Sequence, residues 1–308
     1  LTINNCTATN NGNSNEENAL KLRNLSGTCS ITNSTFQLSA FRIAHIINTT
    51  GNLNLTVDNC TFNNTAASGV GADCFELRTQ GSATGTVNLK NSNFTRARSK
   101  GIQVFAEGNS TLSLNITNCS VQRFGGLMAG IEVGSNGGAA TLNYNVNNNS
   151  YIESAGEVAF LASTFITSDL NGRTNNNTNI TNTINEASTF ANIRVLHEGN
   201  GQAILEIKDN PNVLSNNLDI PVDLVVVNGT GAAARFDVIL DNNNITNTIT
   251  DVTMPIATGL EGIVLRAGDN SGGDITNISH SCKSCANSSL NCTTVSSIII
   301  DYHIRGTG

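Results

Sequence analysis

The sequence predicts an all-β fold, a right-handed parallel β-helix (solenoid) of about nine to ten coils. Three observations lead to this prediction. A short motif centred on an asparagine returns every 26 to 32 residues, and a second motif of alternating apolar residues runs in step with it. No segment between them shows the apolar stripe of an amphipathic helix. Each repeat therefore corresponds to one coil, stacked on its neighbour at a spacing of ~4.8 Å.

The asparagine motif is clearest in NLTVDNCTFNN, residues 54–64. Alternation directs Leu55, Val57 and Phe62 inward, and the asparagine falls where this alternation breaks. Asparagine tolerates the left-handed conformation better than other non-glycine residues, so we expect it at a corner of the coil. Stacking would then place one such residue above another, as a structural asparagine ladder formed by Asn5, Asn33, Asn59, Asn91, Asn118 and Asn148.

The second motif has the pattern apolar–any–apolar and recurs from ALKL (19–22) to GIVL (262–265). Its central position is frequently charged, which predicts a solvent-facing column in which Arg42 and Glu76 attract each other. The column consists of Lys21, Arg42, Glu76, Gln103, Glu132 and Arg194, is interrupted by Phe160 and ends with Val225 and Val264.

The repeats divide the chain into two parts. Residues 1–265 are predicted to form the coils, and residues 266–308 a cysteine-containing loop and a final strand that pack on the same solenoid. The chain starts within a strand-like segment and ends close to an apolar one. We therefore expect its ends to be covered by the remainder of a longer chain, or by end-to-end association with another copy.

Composition excludes several classes of partner. The net charge is −7 and only 13% of residues are charged, without the Lys and Arg clusters that bind phosphates, so no nucleic-acid partner is expected. No apolar stretch is long enough to span a membrane. The sequence contains no cofactor motif, and no cofactor is expected.

The coils resemble known surface proteins. The phrases NCTF, NSNF and NITNCSV, together with GIQVFAEGNSTLSLNITN, are similar to those of right-handed β-helical bacterial surface proteins, which include autotransporter passengers, polymorphic outer-membrane proteins and repeat-containing exoproteins. The resemblance covers most of residues 1–245. It implies an extracellular, cell-surface location.

Seven of the eight cysteines form two groups. Cys6, Cys60 and Cys119 share one column of the alignment, and Cys29 falls at a core position, so we interpret them as small buried hydrophobic residues. Near the C-terminus, His280, Cys282, Cys285 and Cys292 lie within 13 residues. The three cysteines could contain a disulfide, all four residues could hold zinc, or the thiols could be free, and the sequence does not decide between these readings.

Two further kinds of site are candidates. Asn-x-Ser/Thr triplets mark glycosylation candidates, for example at Asn24, Asn54, Asn109, Asn228 and Asn287. The segment AGDNSGGD could bind calcium through Asp269, Asn270 and Asp274, although a glycine-rich turn explains it as well.

The functional prediction is a non-enzymatic, extracellular solenoid that is structural or adhesive, with host or surface glycans as partners. The four histidines are scattered, and the paired-Asp signature of β-helical galacturonases is absent. The alternative is a polysaccharide lyase or hydrolase, or a tailspike-like glycan-binding β-helix. Loss of glycan cleavage on replacing Glu76 or Glu132 would favour that alternative.

Overall fold

The computed structural model describes residues 1–11, 17–64, 73–96, 98–122, 129–154, 156–183, 191–216, 220–227, 235–248, 263–267, 278–282 and 295–303. Within them all regular secondary structure is β-strand. In chain order the first fifteen strands are β1 (Thr2–Asn4), β2 (Thr7–Asn11), β3 (Leu20–Arg23), β4 (Gly27–Thr32), β5 (Thr35–Ser39), β6 (Ala44–Asn48), β7 (Asn52–Asp58), β8 (Thr61–Asn63), β9 (Phe75–Thr79), β10 (Thr84–Lys90), β11 (Asn93–Thr95), β12 (Ile102–Glu107), β13 (Thr111–Thr117), β14 (Ser120–Gln122) and β15 (Ala129–Asn136).

The remaining strands are β16 (Thr141–Asn147), β17 (Tyr151–Ser154), β18 (Val158–Ile166), β19 (Asp169–Asn175), β20 (Ile180–Asn182), β21 (Ala191–Gly199), β22 (Gln202–Lys208), β23 (Val213–Asn216), β24 (Ile220–Val227), β25 (Arg235–Asn243), β26 (Ile245–Thr248), β27 (Ile263–Ala267), β28 (Ile278–Cys282) and β29 (Val295–His303). From β1 to β27, every third strand belongs to the same sheet. The first sheet follows the order β1-β4-β7-β10-β13-β16-β19-β22-β25-β29-β28, the second β2-β5-β8-β11-β14-β17-β20-β23-β26, and the third β3-β6-β9-β12-β15-β18-β21-β24-β27.

The predicted all-β parallel solenoid is confirmed, because all pairings among strands β1 to β27 are parallel and join successive coils. Two details differ from the prediction. Each coil contains three strands rather than two, because the short strands of the second sheet are separate elements. The upper end of the predicted coil number is not reached, because β29 pairs antiparallel with both β25 and β28 and adds no further coil.

The core follows directly from period-two alternation. Leu55 and Val57 of β7 and Phe62 of β8 are fully buried, as predicted for inward positions. Phe62 stacks between Phe36 and Phe94, with ring centroids 5.4 and 5.0 Å apart. In-register stacking of identical side chains therefore continues the core from one coil to the next.

Candidate functional site

The outer face of the third sheet carries a column of residues from successive coils, most of which are polar. The strand register places Lys21, His45, Glu76, Gln103, Glu132, Leu161, Arg194 and Asp223 in this column. Three assignments made from the sequence are wrong, those of Arg42, Phe160 and Val225. His45, not Arg42, occupies the position next to Glu76, since β6 begins at Ala44, and Leu161 rather than Phe160 continues the column.

The column is also not solvent-facing at its centre. Glu76, Gln103 and Glu132 are 2%, 5% and 9% exposed, although alternation points them away from the core. Asp223 is likewise buried and takes the place that the sequence assigned to Val225. A charged group buried to this extent needs a partner of opposite charge.

Glu76 lies at the centre of such a set of partners. Arg78 donates from Nε to Oε1 of Glu76 at 2.6 Å, and Arg42 approaches the other carboxylate oxygen. Arg42, in the preceding turn, also reaches Asp73 Oδ2 at 3.4 Å. The predicted attraction between Arg42 and Glu76 thus exists, although the two residues are not strand neighbours. His45 Nε2 lies 3.6 Å from Oε2 of Glu76, yet burial keeps the pKa of this imidazole below its usual value.

The network continues along the coils through Arg78. This guanidinium contacts Glu107 and donates to Gln103 Oε1 at 3.1 Å. Gln103 in turn donates to Glu132 Oε2 at 2.6 Å, and Lys100 contacts the same carboxylate. Although burial alone would lower the pKa of Arg78, the bonds and charges of Glu76 and Glu107 raise it. We call this set, from Arg42 to Glu132, the ion-pair network.

A different surface covers the outside of the first sheet. The four central strands β7, β10, β13 and β16 are in register over seven residues. Their outward positions form four columns, namely Asn52, Thr84, Thr111 and Thr141; Asn54, Thr86, Ser113 and Asn143; Thr56, Asn88, Asn115 and Asn145; and Asp58, Lys90, Thr117 and Asn147. We call these positions the polar face. All of them are half-buried or exposed.

The six predicted ladder asparagines lie at the corner that follows the first sheet. Asn5, Asn33, Asn59, Asn91, Asn118 and Asn148 have φ between 51° and 55°, the left-handed conformation expected from the sequence. Their side chains are exposed, and some bond along the stack, as from Asn59 Nδ2 to Asn33 Oδ1 at 2.9 Å. The column continues through Asn176, Asp209 and Asn242, which the sequence analysis missed.

A second, buried ladder lies one residue further along the chain. Asn149, Asn177, Asn210 and Asn243 are each at most 4% exposed, and each of the first three donates from Nδ2 to Oδ1 of the next, at 2.8, 3.2 and 2.8 Å. Each of these three also donates to a main-chain carbonyl of the preceding coil. The dipeptides Asn-Asn and Asp-Asn at the corners are the signal that could have revealed this ladder.

Cysteine and serine occupy the same inward column in the earlier coils. Cys60 and Cys119 are buried and free, and burial raises the pKa of Cys119 to about 12. Cys29 and Cys74 are buried free thiols as well. Cys6 departs from the expectation because it is exposed. None of these five cysteines forms a disulfide, and the four buried ones pack in the core as thiols.

Several of the other predicted sites lie outside the described residues. His280 and Cys282 belong to β28, whose backbone alone is described, while Cys285, Cys292, Asp269, Asn270 and Asp274 lie outside the described residues. Among the glycosylation candidates, Asn24, Asn54 and Asn109 are exposed, whereas Asn228 and Asn287 are not described. No group of three or more His, Cys, Asp or Glu side chains within the described ranges is arranged to hold a metal.

Comparison with known proteins gives no relative. No protein-family model, curated protein or solved structure matches this chain. In the part of the chain that the structure describes, no helix is long and apolar enough to cross a membrane.

Proposed function

We propose that this chain is a non-enzymatic, extracellular solenoid that serves as a structural or adhesive surface element. The observation that carries the proposal is the ion-pair network. Glu76 is held by Arg42 and Arg78, Glu107 by Arg78, and Glu132 by Lys100. A carboxylate that acts as a general acid or base exchanges a proton with its substrate. Carboxylates that are paired with Arg or Lys in this way stabilise the stack of coils instead.

The resemblance to bacterial surface β-helices supports the extracellular location. A surface element of this kind functions by presenting long side faces, and the solenoid has three of them. End-to-end association, either with further coils of a longer chain or with another copy, belongs to the same proposal, because a parallel strand edge can pair with an additional coil.

A glycan-active enzyme is the second candidate, and the density of charged groups on the third sheet is the observation in its favour. The test measures release of unsaturated or reducing ends from polygalacturonate and from neutral polysaccharides. We expect no release above background from the wild type or from Glu132→Gln. Steady release that is abolished by Glu76→Gln and Glu132→Gln, while both variants keep the wild-type circular dichroism spectrum, would establish the enzyme.

A further inference from the structure

The polar face has a chemical composition unlike a typical protein surface. Apart from Asp58 and Lys90, each of its side chains carries an uncharged hydroxyl or amide group. The two charged residues neutralise each other, with Lys90 Nζ 3.1 Å from Asp58 Oδ2. The face therefore offers donors and acceptors of hydrogen bonds without net charge, which disfavours a polyanionic or polycationic ligand.

The same groups are also ordered in two dimensions. Neighbouring coils repeat at ~4.8 Å along the solenoid, and outward positions within a strand repeat at ~6.6 Å. In two of the four columns the same group recurs over three successive coils, as in Asn88, Asn115 and Asn145 and in Thr84, Thr111 and Thr141. A ligand that repeats along the solenoid axis could form the same hydrogen bonds at three successive coils in these columns, whereas a ligand that runs along one strand would meet four different positions.

Part of this array is already fixed by hydrogen bonds between coils. Asn115 Nδ2 donates to Asn88 Oδ1 at 2.9 Å. Such a bond fixes the amide plane and leaves other donor and acceptor positions facing outward. The uncharged array ends at the following coils, where Arg173, Glu206 and Lys208 take outward positions and Glu206 lies 3.4 Å from Lys208.

We infer that the polar face binds an uncharged, linear polysaccharide that lies along the solenoid axis. Sugar hydroxyl groups both donate and accept hydrogen bonds, as do the hydroxyl and amide groups of this face. Because no aromatic side chain lies on these positions for sugar stacking, each unit binds weakly, and affinity comes from the number of coils engaged. This inference rests on the proposed adhesive function and names its ligand class and its face.

The test compares two triple variants. Asn54→Glu, Thr86→Glu and Ser113→Glu place three charges on one column of the polar face. The control, Thr61→Glu, Asn93→Glu and Ser120→Glu, places three charges at the same coil spacing on the outside of the second sheet. A third variant, with Ala at Asn54, Thr86 and Ser113, removes the polar groups without adding charge. Retention is measured on immobilised cellulose, chitin, mannan and dextran, with polygalacturonate as the anionic probe.

We expect retention on at least one uncharged polysaccharide, weakened about tenfold or more in the polar-face Glu variant and changed less than about twofold in the control. The Ala variant should lose affinity too, and short oligosaccharides should compete much more weakly than long chains. Three results would overturn the inference without contradicting a non-enzymatic scaffold. They are an equal loss of retention in the control variant, retention on polygalacturonate alone, and self-association of the protein that the polar-face variants abolish. Cleavage of the retained polysaccharide would instead overturn the proposed function.

Discussion

At the scale of single residues, the fold depends on which side chains tolerate the left-handed corner. Asparagine was predicted there from its chemistry, and the corner positions show that conformation from Asn5 to Asn148. Ile166 could not have been predicted, because a β-branched residue at φ 65° is disfavoured. Only the stacking of coils reveals the left-handed conformation of Ile166, since Gly199, its partner in the next coil, also has a positive φ, of 113°.

Replacing Ile166 by glycine should stabilise the protein by about 1 kcal/mol. The side chain is 58% exposed, so little apolar burial is lost, while the left-handed strain disappears. Ile204→Gly serves as the control, because this strand residue lacks a positive φ and should lose stability instead. Urea unfolding measures both changes. A lower stability for Ile166→Gly would show that the corner carries no strain.

The buried ladder predicts a larger change in the free energy of unfolding when Asn177 is replaced. Its side chain accepts from Asn149 Nδ2 and donates to Val146 O and Asn210 Oδ1. Asn177→Ala should therefore cost roughly 2–4 kcal/mol, because several buried polar groups lose their partners. Asn143→Ala, on an exposed position, should change the free energy of unfolding by less than about 0.5 kcal/mol. Equal effects of the two substitutions would contradict a structural role for the buried amides.

His197 makes stability depend on pH. It is 1% exposed and packs on Phe236, and burial lowers its pKa from 6.5 to about 4. Between these values the unfolded chain binds more protons than the folded one, so stability falls as pH falls from 6.5 to 4, by up to about 3 kcal/mol. His197→Leu should remove this part of the slope in urea unfolding measured across that range. An unchanged slope would exclude His197 as its source.

At the scale of the strands, the two-residue alternation of apolar side chains could be predicted from the sequence. The register between strands of neighbouring coils could be predicted only in part. Long strands such as β7 show alternation over seven residues, which the sequence reveals. The three-residue strands β8, β11 and β14 are too short to show it, so the second sheet was missed. The predicted column position in this coil was wrong by three residues, Arg42 instead of His45, because β6 begins only at Ala44. The alternation of apolar residues does not reveal the length of the turn that precedes a strand.

The ion-pair network was not predictable either, since burial of an outward column depends on tertiary packing. Glu76→Gln should destabilise the protein by roughly 3 kcal/mol, because Arg42 and Arg78 lose the charge that balances them. Lys90→Gln breaks the more exposed pair with Asp58 and should cost less than about 1 kcal/mol. Thermal unfolding of both variants compares the two pairs. A Glu76→Gln variant as stable as wild type would argue against a structural network.

At the scale of the whole molecule, the three sheets form one parallel stack in which the same lateral position recurs in every coil. This regularity explains why the fold class was accessible from sequence while the function was not. Stacking needs only a repeated inward pattern, and many outward patterns are compatible with it. The proposed functions of the polar face and of the ion-pair network therefore depend on the residues in the outward columns, which the fold does not determine.

The most direct test of this account measures distances along one column by pulsed electron paramagnetic resonance. Spin labels on non-natural residues, which leave native thiols intact, would replace Thr28 and Asn143 in one sample and Thr28 and Ile204 in another. These pairs are separated by four and six coil steps of the first sheet. At ~4.8 Å per coil, the second distance should exceed the first by ~10 Å. Equal distances, or a shorter second distance, would contradict the coil-by-coil stack.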